Sequence, residues 1–229
     1  MPIQLEALEV TFTDLRGKQV PVLSIAELTI ADGEQLCLVG GSGSGKTTLL
    51  NVLAGISQPT RGKVLYDDRD IATMSEAERD GFRAENIGYV FQSFNLLQSL
   101  SALENVAIAG TFGGLGRAES RTRATELLKR VGLGHRLDAR PGTLSVGEQQ
   151  RVGIARALIN QPRVVLADEP TANLDEARAD EVLALLAEIV EEEEATLILV
   201  THEARVRERF AENTDHRVVD LKDISGASA

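Results

Sequence analysis

The sequence predicts an α/β fold with a mainly parallel sheet at its core. Three short, continuous apolar stretches are typical of strands that are buried on both faces of a sheet. Glycine turns and helical apolar stripes separate these stretches, and such alternation is typical of parallel strands covered by helices on both sides. The three stretches are Gln35–Val39, Arg163–Ala167 and Ala195–Val200.

Two more strands are predicted at the N-terminus, over residues 3–10 and 20–30, where apolar side chains alternate loosely. Turn-forming residues from Asp14 to Gly17 lie between them. This portion is predicted to be antiparallel β structure. Shorter strands are predicted over residues 62–66 and 88–91.

A helix is predicted directly after the glycine-rich stretch that follows Val39, and Gly55 can end it. Its apolar residues are Leu49, Leu50 and Leu53. A second helical stripe precedes the strand at Ala195. It is formed by Val182, Leu185, Leu186, Ile189 and Val190.

The middle of the chain lacks strong strand patterns. Helical periodicity occurs instead over residues 118–130 and 146–159. We therefore predict a helical lobe over residues 93–160, inserted into a core formed by residues 1–92 and 161–229. Together these parts would form one domain.

Composition excludes several classes of protein. The 229 residues include 24 basic and 35 acidic side chains, a net charge of −11, which disfavours a nucleic-acid-binding surface. Only 3% of residues are aromatic, and the single cysteine, Cys37, excludes an internal disulfide. We find no apolar run of about 18 residues and no secretion signal at the N-terminus, so we expect a cytoplasmic protein.

A glycine-rich loop lies between a predicted strand and a predicted helix and fits the pattern G-x-x-x-x-G-K-[ST]. Such a loop directs main-chain N–H groups and the positive end of a helix at an anion. Lys46 would contact the β- and γ-phosphates and Thr47 would bind Mg²⁺. The sequence therefore predicts a site for a nucleoside triphosphate. The candidate binding residues are Gly40, Gly41, Ser42, Gly43, Ser44, Gly45, Lys46, Thr47 and Thr48.

Two adjacent acids, Asp168 and Glu169, follow the strand at Arg163–Ala167. Strand ends of a parallel sheet lie at its ligand-binding edge. Successive strand side chains point to opposite faces, so the two acids are expected to have different roles. Asp168 would hold Mg²⁺, and Glu169 would orient an attacking water. Alternatively, Glu169 is a surface acid beside one functional aspartate.

A third motif starts the helix over residues 146–159. Ser145 and Glu148 fit a capping box, which is usually only structural, and Gly147 permits close approach to the helix start.

Together, these motifs resemble the ATP-binding-cassette (ABC) ATPases, because LSVGEQQR is similar to the LSGGQ signature of that family. Gln92 resembles the Q-loop residue, residues 172–175 the D-loop, His202 the switch histidine and Phe12 the adenine-stacking aromatic. LADEPTANLD and YVFQSFNLL are similar to the lipoprotein-release and macrolide-exporter (LolD/MacB-like) group. Three residues depart from the usual pattern: Val146 for glycine, Glu148 for glutamine and Phe12 for tyrosine.

The resemblance implies an ATP-dependent homodimer in which Ser145, Gly147 and Glu148 of one chain close over ATP bound to the other. It implies ATP and Mg²⁺ as ligands, with Mg²⁺ held by Thr47, Gln92 and Asp168, and catalytic roles for Glu169 and His202.

It further implies that this chain lies on the cytoplasmic face of the inner membrane and binds separate transmembrane permease subunits. The apolar segment 93–116 is either a docking surface for such a subunit or the core of the lobe. The sequence leaves two other classes open: a non-transport ABC ATPase acting on nucleic acid or ribosomes, and a P-loop small-molecule kinase.

Overall fold

The computed structural model describes residues 1–225. Its strands are β1 (Ile3–Thr13), β2 (Gln19–Ile30), β3 (Gln35–Val39), β4 (Arg61–Tyr66), β5 (Arg69–Asp70), β6 (Ile87–Val90), β7 (Val164–Asp168), β8 (Thr196–Thr201) and β9 (Arg217–Asp220). Its helices are α1 (Lys46–Leu53), α2 (Glu76–Asn86), α3 (Ala102–Phe112), α4 (Arg117–Arg130), α5 (Val146–Leu158), α6 (Glu176–Glu192), α7 (Ala204–Ala211) and α8 (Leu221–Ile224).

The chain divides into two compact units. Met1–Asp80 and residues 196–225 form the first, and Gly81–Ala195 forms the second. The predicted lobe, residues 93–160, lies within the second unit together with β6, β7 and α6. Its boundaries as a separate lobe stay a prediction.

The first unit contains the antiparallel sheet predicted at the N-terminus. Its strand order is β2-β1-β4-β5, and β1 pairs with β2 from Ile3 opposite Ile30 to Thr13 opposite Gln19. The turn between these two strands is held by the Asp14 carboxylate, which accepts from the main-chain N–H groups of Arg16 and Lys18. Ile3, Leu5, Leu8 and Val10 of β1 are buried and contribute to the unit's core, and an irregularity between Glu6 and Glu9 shifts their alternation by one residue.

The first unit also contains parallel strands, with β3 between β8 and β9. In the second unit β6 and β7 pair in parallel, with Ile87 opposite Val164. Every residue of β3, β7 and β8 is buried, as the continuous apolar stretches predict. The predicted α/β class, with parallel and antiparallel portions, is confirmed.

Helices α3, α4 and α5 pack against one another in the second unit. The helices predicted over residues 118–130 and 146–159 correspond to α4 and α5. Helix α3 was not predicted, since its sequence ALENVAIAGTF has apolar residues around most of its circumference rather than on one stripe. Within residues 1–225 no helix has the length and apolar character needed to cross a bilayer.

Candidate functional site

The glycine loop joins the end of β3 to the start of α1, the context that the motif requires. Gly43 and Gly45 have φ angles of +75° and +89°. A Cβ on Gly45 would lie 2.8 Å from the main-chain oxygen of Val22. Glycine is therefore required at position 45 both for its left-handed conformation and for the close approach of β2.

Lys46 closes the loop on itself. Its Nζ donates to the carbonyl oxygens of Gly40 and Gly41, at 2.8 and 2.9 Å, and the residue is only 6% exposed. The Ser44 Oγ is also buried and has no hydrogen-bond partner among the described residues. A held ammonium group and a buried hydroxyl beside a helix start fit a bound phosphate.

His202 follows the last residue of β8 and lies next to the start of this loop. Thr201 is paired with Val39, and its carbonyl oxygen accepts from the Gly40 N–H at 3.3 Å. The His202 side chain is exposed. The register of β3 and β8 therefore places the predicted switch histidine beside the predicted phosphate site.

Phe12 lies near the end of β1, opposite Val20 on β2. It is 51% exposed, which is unusual for an aromatic side chain that only fills a core. An exposed ring of this kind suits stacking on a base, the role that the resemblance implies.

The two acids that follow the apolar stretch are both buried, but only Asp168 belongs to β7. Glu169 has a φ angle of +45°. The prediction from strand alternation was therefore wrong in its premise, because the chain leaves the extended conformation at Glu169.

In the second unit, burial together with the negative charge of Asp168 raises the pKa of Tyr89.

Gln92 lies two residues beyond β6, and its side chain is exposed. Its carbonyl oxygen accepts from the Asn173 Nδ2 at 3.0 Å, so the predicted Q-loop and D-loop are in direct contact. Arg156 of α5 donates to the carbonyl oxygens of Phe94 and Asn95, at 2.7 and 2.6 Å. Arg156 could not be identified from the sequence, because its position in the helix gives no local signal of this contact.

The signature turn, defined here as residues 144–148, begins α5. The predicted capping box is confirmed: Ser145 Oγ accepts from the Glu148 N–H at 3.3 Å, and Glu148 Oε2 accepts from the Ser145 N–H at 2.8 Å. Gly147 is buried, and a Cβ there would be in ordinary contact with Arg178 and Leu174. Val146, which replaces a glycine of the family pattern, is exposed.

The residues predicted to hold Mg²⁺ offer a hydroxyl, an amide and a carboxylate oxygen, from Thr47, Gln92 and Asp168. Oxygen donors of these kinds fit the preference of Mg²⁺. Among the described residues, no three His, Cys, Asp or Glu side chains form a group that could bind a metal ion by themselves.

A strand–glycine loop–helix unit with an enclosed lysine defines a P-loop nucleotide-binding protein. The sequence matches the family described as ABC transporter over residues 23–172. It is 47% identical to the lipoprotein-releasing system ATP-binding protein LolD of Syntrophotalea carbinolica, over 82% of this chain and 83% of that protein. It is 42% identical to the macrolide export ATP-binding/permease protein MacB of Syntrophobacter fumaroxidans, over 99% of this chain but only 33% of that protein.

Two solved structures of the MJ0796 cassette are similar. One, described as the dimeric structure of a bacterial ABC transporter cassette, has a TM-score of 0.85 at 36% identity and covers 96% of this chain and 94% of that one. The other is a dimeric post-hydrolysis state bound to ADP and Pi, with a TM-score of 0.82 at 37% identity and 89% coverage of both chains.

The chain belongs to the ABC transporter family, as an ATP-binding, ATP-hydrolysing subunit of the LolD/MacB type. The comparisons favour this class over the nucleic-acid-acting ATPase and the small-molecule kinase.

Proposed function

We propose that this chain hydrolyses ATP in a head-to-tail homodimer and thereby drives export or membrane extraction of a substrate through separate transmembrane subunits. The observation that carries the proposal is the phosphate loop, in which Lys46 is held by two carbonyl oxygens and the Ser44 hydroxyl is buried without a partner among residues 1–225. A triphosphate entering the loop would receive hydrogen bonds that the protein alone does not satisfy.

Each part of ATP then has residues that suit it. The phosphates lie against the loop and the N-terminus of α1, and Lys46 supplies a positive charge at the β- and γ-phosphates. The adenine ring stacks on Phe12. Thr47, Gln92 and Asp168 would hold Mg²⁺, which would neutralise charge on the phosphate oxygens.

Hydrolysis needs a water held in line with the γ-phosphate. Glu169 is the residue we assign to orient and polarise that water, and its burial supports the role because electrostatic effects are larger away from solvent. His202 contacts the γ-phosphate from the end of β8. Loss of the γ-phosphate would remove the negative charge that the second chain recognises.

The second chain contributes its signature turn. In the capping box the Ser145 hydroxyl acts as an acceptor, so its hydrogen can still be donated to a phosphate oxygen. Two copies that exchange this contact form a two-fold symmetric, isologous dimer. The dimeric MJ0796 cassettes support this arrangement, and one of them is bound to ADP and Pi.

A transmembrane partner would dock on the segment 93–116. Leu96, Leu103 and Val106 are buried, as expected for a lobe core, but Leu97 is 49% exposed and Phe112 is 76% exposed. These two side chains are the apolar surface that we assign to a permease subunit. The name of the MacB relatives joins an ATP-binding part to a permease part, which supports a permease as the partner of this chain.

Two substitutions test the proposal. Lys46→Ala should weaken binding of ATP to the single chain, measured by equilibrium titration with a fluorescent ATP analogue. Ser145→Arg, made in the Glu169→Gln background in which hydrolysis should be blocked, should leave single-chain binding intact and abolish ATP-dependent dimerisation measured by light scattering. Normal dimerisation of the Ser145→Arg variant would contradict the shared-site geometry.

A further inference from the structure

Glu148 places a carboxylate at the signature turn, where the resemblance leads one to expect a neutral glutamine. The structure shows what accompanies this acid. Its Oε2 accepts from the Ser145 N–H, and its Oε1 accepts from the Arg136 Nε at 3.1 Å. The same guanidinium donates through Nη2 to the carbonyl oxygen of Thr143 at 3.3 Å. Arg136 therefore bridges the residues on both sides of Ser145.

Arg136 is itself held by its main chain. Its N–H donates to the Leu133 carbonyl oxygen, and its own carbonyl oxygen accepts from the Ala139 N–H, both at 2.9 Å. The same loop is fastened to the start of α3, because the N–H groups of Leu103 and Ala102 donate to the carbonyl oxygens of Leu137 and Ala139 at 3.0 and 2.8 Å. The loop that carries the Arg136 guanidinium is therefore held in place by main-chain hydrogen bonds.

The charge of this arrangement matters for a site that binds phosphate. A helix N-terminus attracts anions, and a carboxylate in its first turn offsets part of that attraction. Hydrogen bonds from the Ser145 main chain and Arg136 lower the pKa of Glu148 to about 2, so the acid stays ionised at neutral pH. Arg136 is the cation that directly contacts it and offsets its charge.

We propose that Arg136 is a positioning residue for ATP-dependent dimerisation: it neutralises Glu148 and fixes the signature turn so that Ser145 can meet the partner's γ-phosphate. This inference rests on the proposed function, since it needs the signature turn of one chain to close over the nucleotide of the other. Arg136 acts through Glu148 and Ser145. It follows that Arg136 is needed because residue 148 is an acid.

The test is a double-mutant cycle in the Glu169→Gln background, with the dimer dissociation constant at saturating ATP as the readout. Arg136→Gln should raise that constant about tenfold, because a partly exposed ion pair changes affinity about threefold and the symmetric dimer contains two of them. In the Glu148→Gln background the same Arg136 substitution should change it less than about twofold. This rescue separates charge compensation from a general loss of stability.

Arg130→Gln is the matched control. Arg130 also forms exposed ion pairs within the second unit, with Glu192 and Glu193, but it lies on α4. We expect its substitution to leave dimerisation unchanged. If Arg136→Gln does not fold, Arg136→Lys replaces it, because lysine keeps the charge but cannot bridge Glu148 and Thr143 with one planar group.

The outcomes distinguish this inference from the function on which it rests. If Ser145→Arg blocks dimerisation while Arg136→Gln has the same effect with or without Glu148→Gln, the role of Arg136 is refuted and the ATP-sandwich dimer stands. If Ser145→Arg leaves dimerisation intact, the proposed function itself fails. A tenfold effect of Arg136→Gln that Glu148→Gln removes supports the inference.

Discussion

Three glycines of the phosphate loop should differ sharply in their tolerance of a methyl group. Gly41 does not have a left-handed φ, and a Cβ there would meet nothing within 4 Å. Gly43 has a φ of +75° but also has open space around its missing Cβ. Gly45 combines a φ of +89° with a Cβ position 2.8 Å from the Val22 carbonyl oxygen. Alanine should therefore incur neither penalty at position 41, the conformational penalty alone at position 43, and both the conformational and the packing penalty at position 45.

The expected costs follow from these two terms. Alanine at position 41 should change the free energy of unfolding by less than about 0.5 kcal/mol, as at an unconstrained exposed site. At position 43 the left-handed conformation alone should cost about 1 kcal/mol. At position 45 the same conformational cost is joined by an overpacking cost of about 2 kcal/mol, so the total is about 3 kcal/mol.

Urea unfolding of the nucleotide-free chain, followed by circular dichroism, measures the three values. With an m-value of about 2.5 kcal/mol/M, Gly45→Ala should lower the midpoint by about 1 M and Gly43→Ala by about 0.4 M, with Gly41→Ala close to wild type. Leaving nucleotide out separates folding from ligand binding. Equal midpoints for the Gly43 and Gly45 variants would refute the assigned contact with Val22, and a destabilised Gly41 variant would refute the loop geometry.

Three further predictions concern the packing and the charge around the site. Gly88→Ala places a Cβ 2.4 Å from the main-chain oxygen of Ala157, so it should lower the free energy of unfolding by about 3 kcal/mol. Gly153→Ala in helix α5 meets open space, so in the same urea assay it should leave the free energy of unfolding unchanged or raise it by up to about 1 kcal/mol. Tyr66→Phe removes a buried hydroxyl that donates to a main-chain carbonyl at 2.7 Å and should cost about 1–2 kcal/mol; an unchanged thermal midpoint would exclude this hydrogen bond. Folding lowers the pKa of Glu148 from 4.5 to about 2, so the ionised Glu148 side chain stabilises the folded chain. This stabilisation is about 1 kcal/mol after solvent screening; it is present above pH 4.5 and is lost as the pH falls towards 2. A wild-type minus Glu148→Gln stability difference that does not shrink with acidification would contradict this.

The parts of the fold that could be predicted are those whose signal is local. The strand β3 was predicted to its observed bounds because a continuous, mainly apolar stretch of five residues precedes a glycine turn. The phosphate loop and the capping box at Ser145 were predicted from spacing alone, since both motifs satisfy main-chain groups within a few residues. Helix α2 was not predicted: its polar sequence EAERDGFRAEN contains a glycine, and only Phe82 is buried.

The parts of the site that could not be predicted depend on contacts between distant segments. Glu169 follows a strand in sequence, but tertiary packing gives it a left-handed backbone that no local pattern indicates. The pairing of Arg136 with Glu148 crosses a turn whose course depends on its attachment to α3. A sequence shows that position 148 is acidic; only the fold shows which cation offsets it.

The Q-loop is the clearest case of a local conformation that is imposed from outside. Phe94 and Asn95 have φ angles of +58° and +48°, and two consecutive left-handed residues of this kind cost about 1 kcal/mol or more each. Arg156 offsets that cost by donating to both carbonyl oxygens, and its guanidinium lies 5.8 Å from the ring centre of Phe91. Arg156 belongs to the helix that begins at the signature turn. The chain segment that follows Gln92 therefore depends for its conformation on the signature helix, and any shift of that helix along its axis must change the hydrogen bonds that hold the Q-loop.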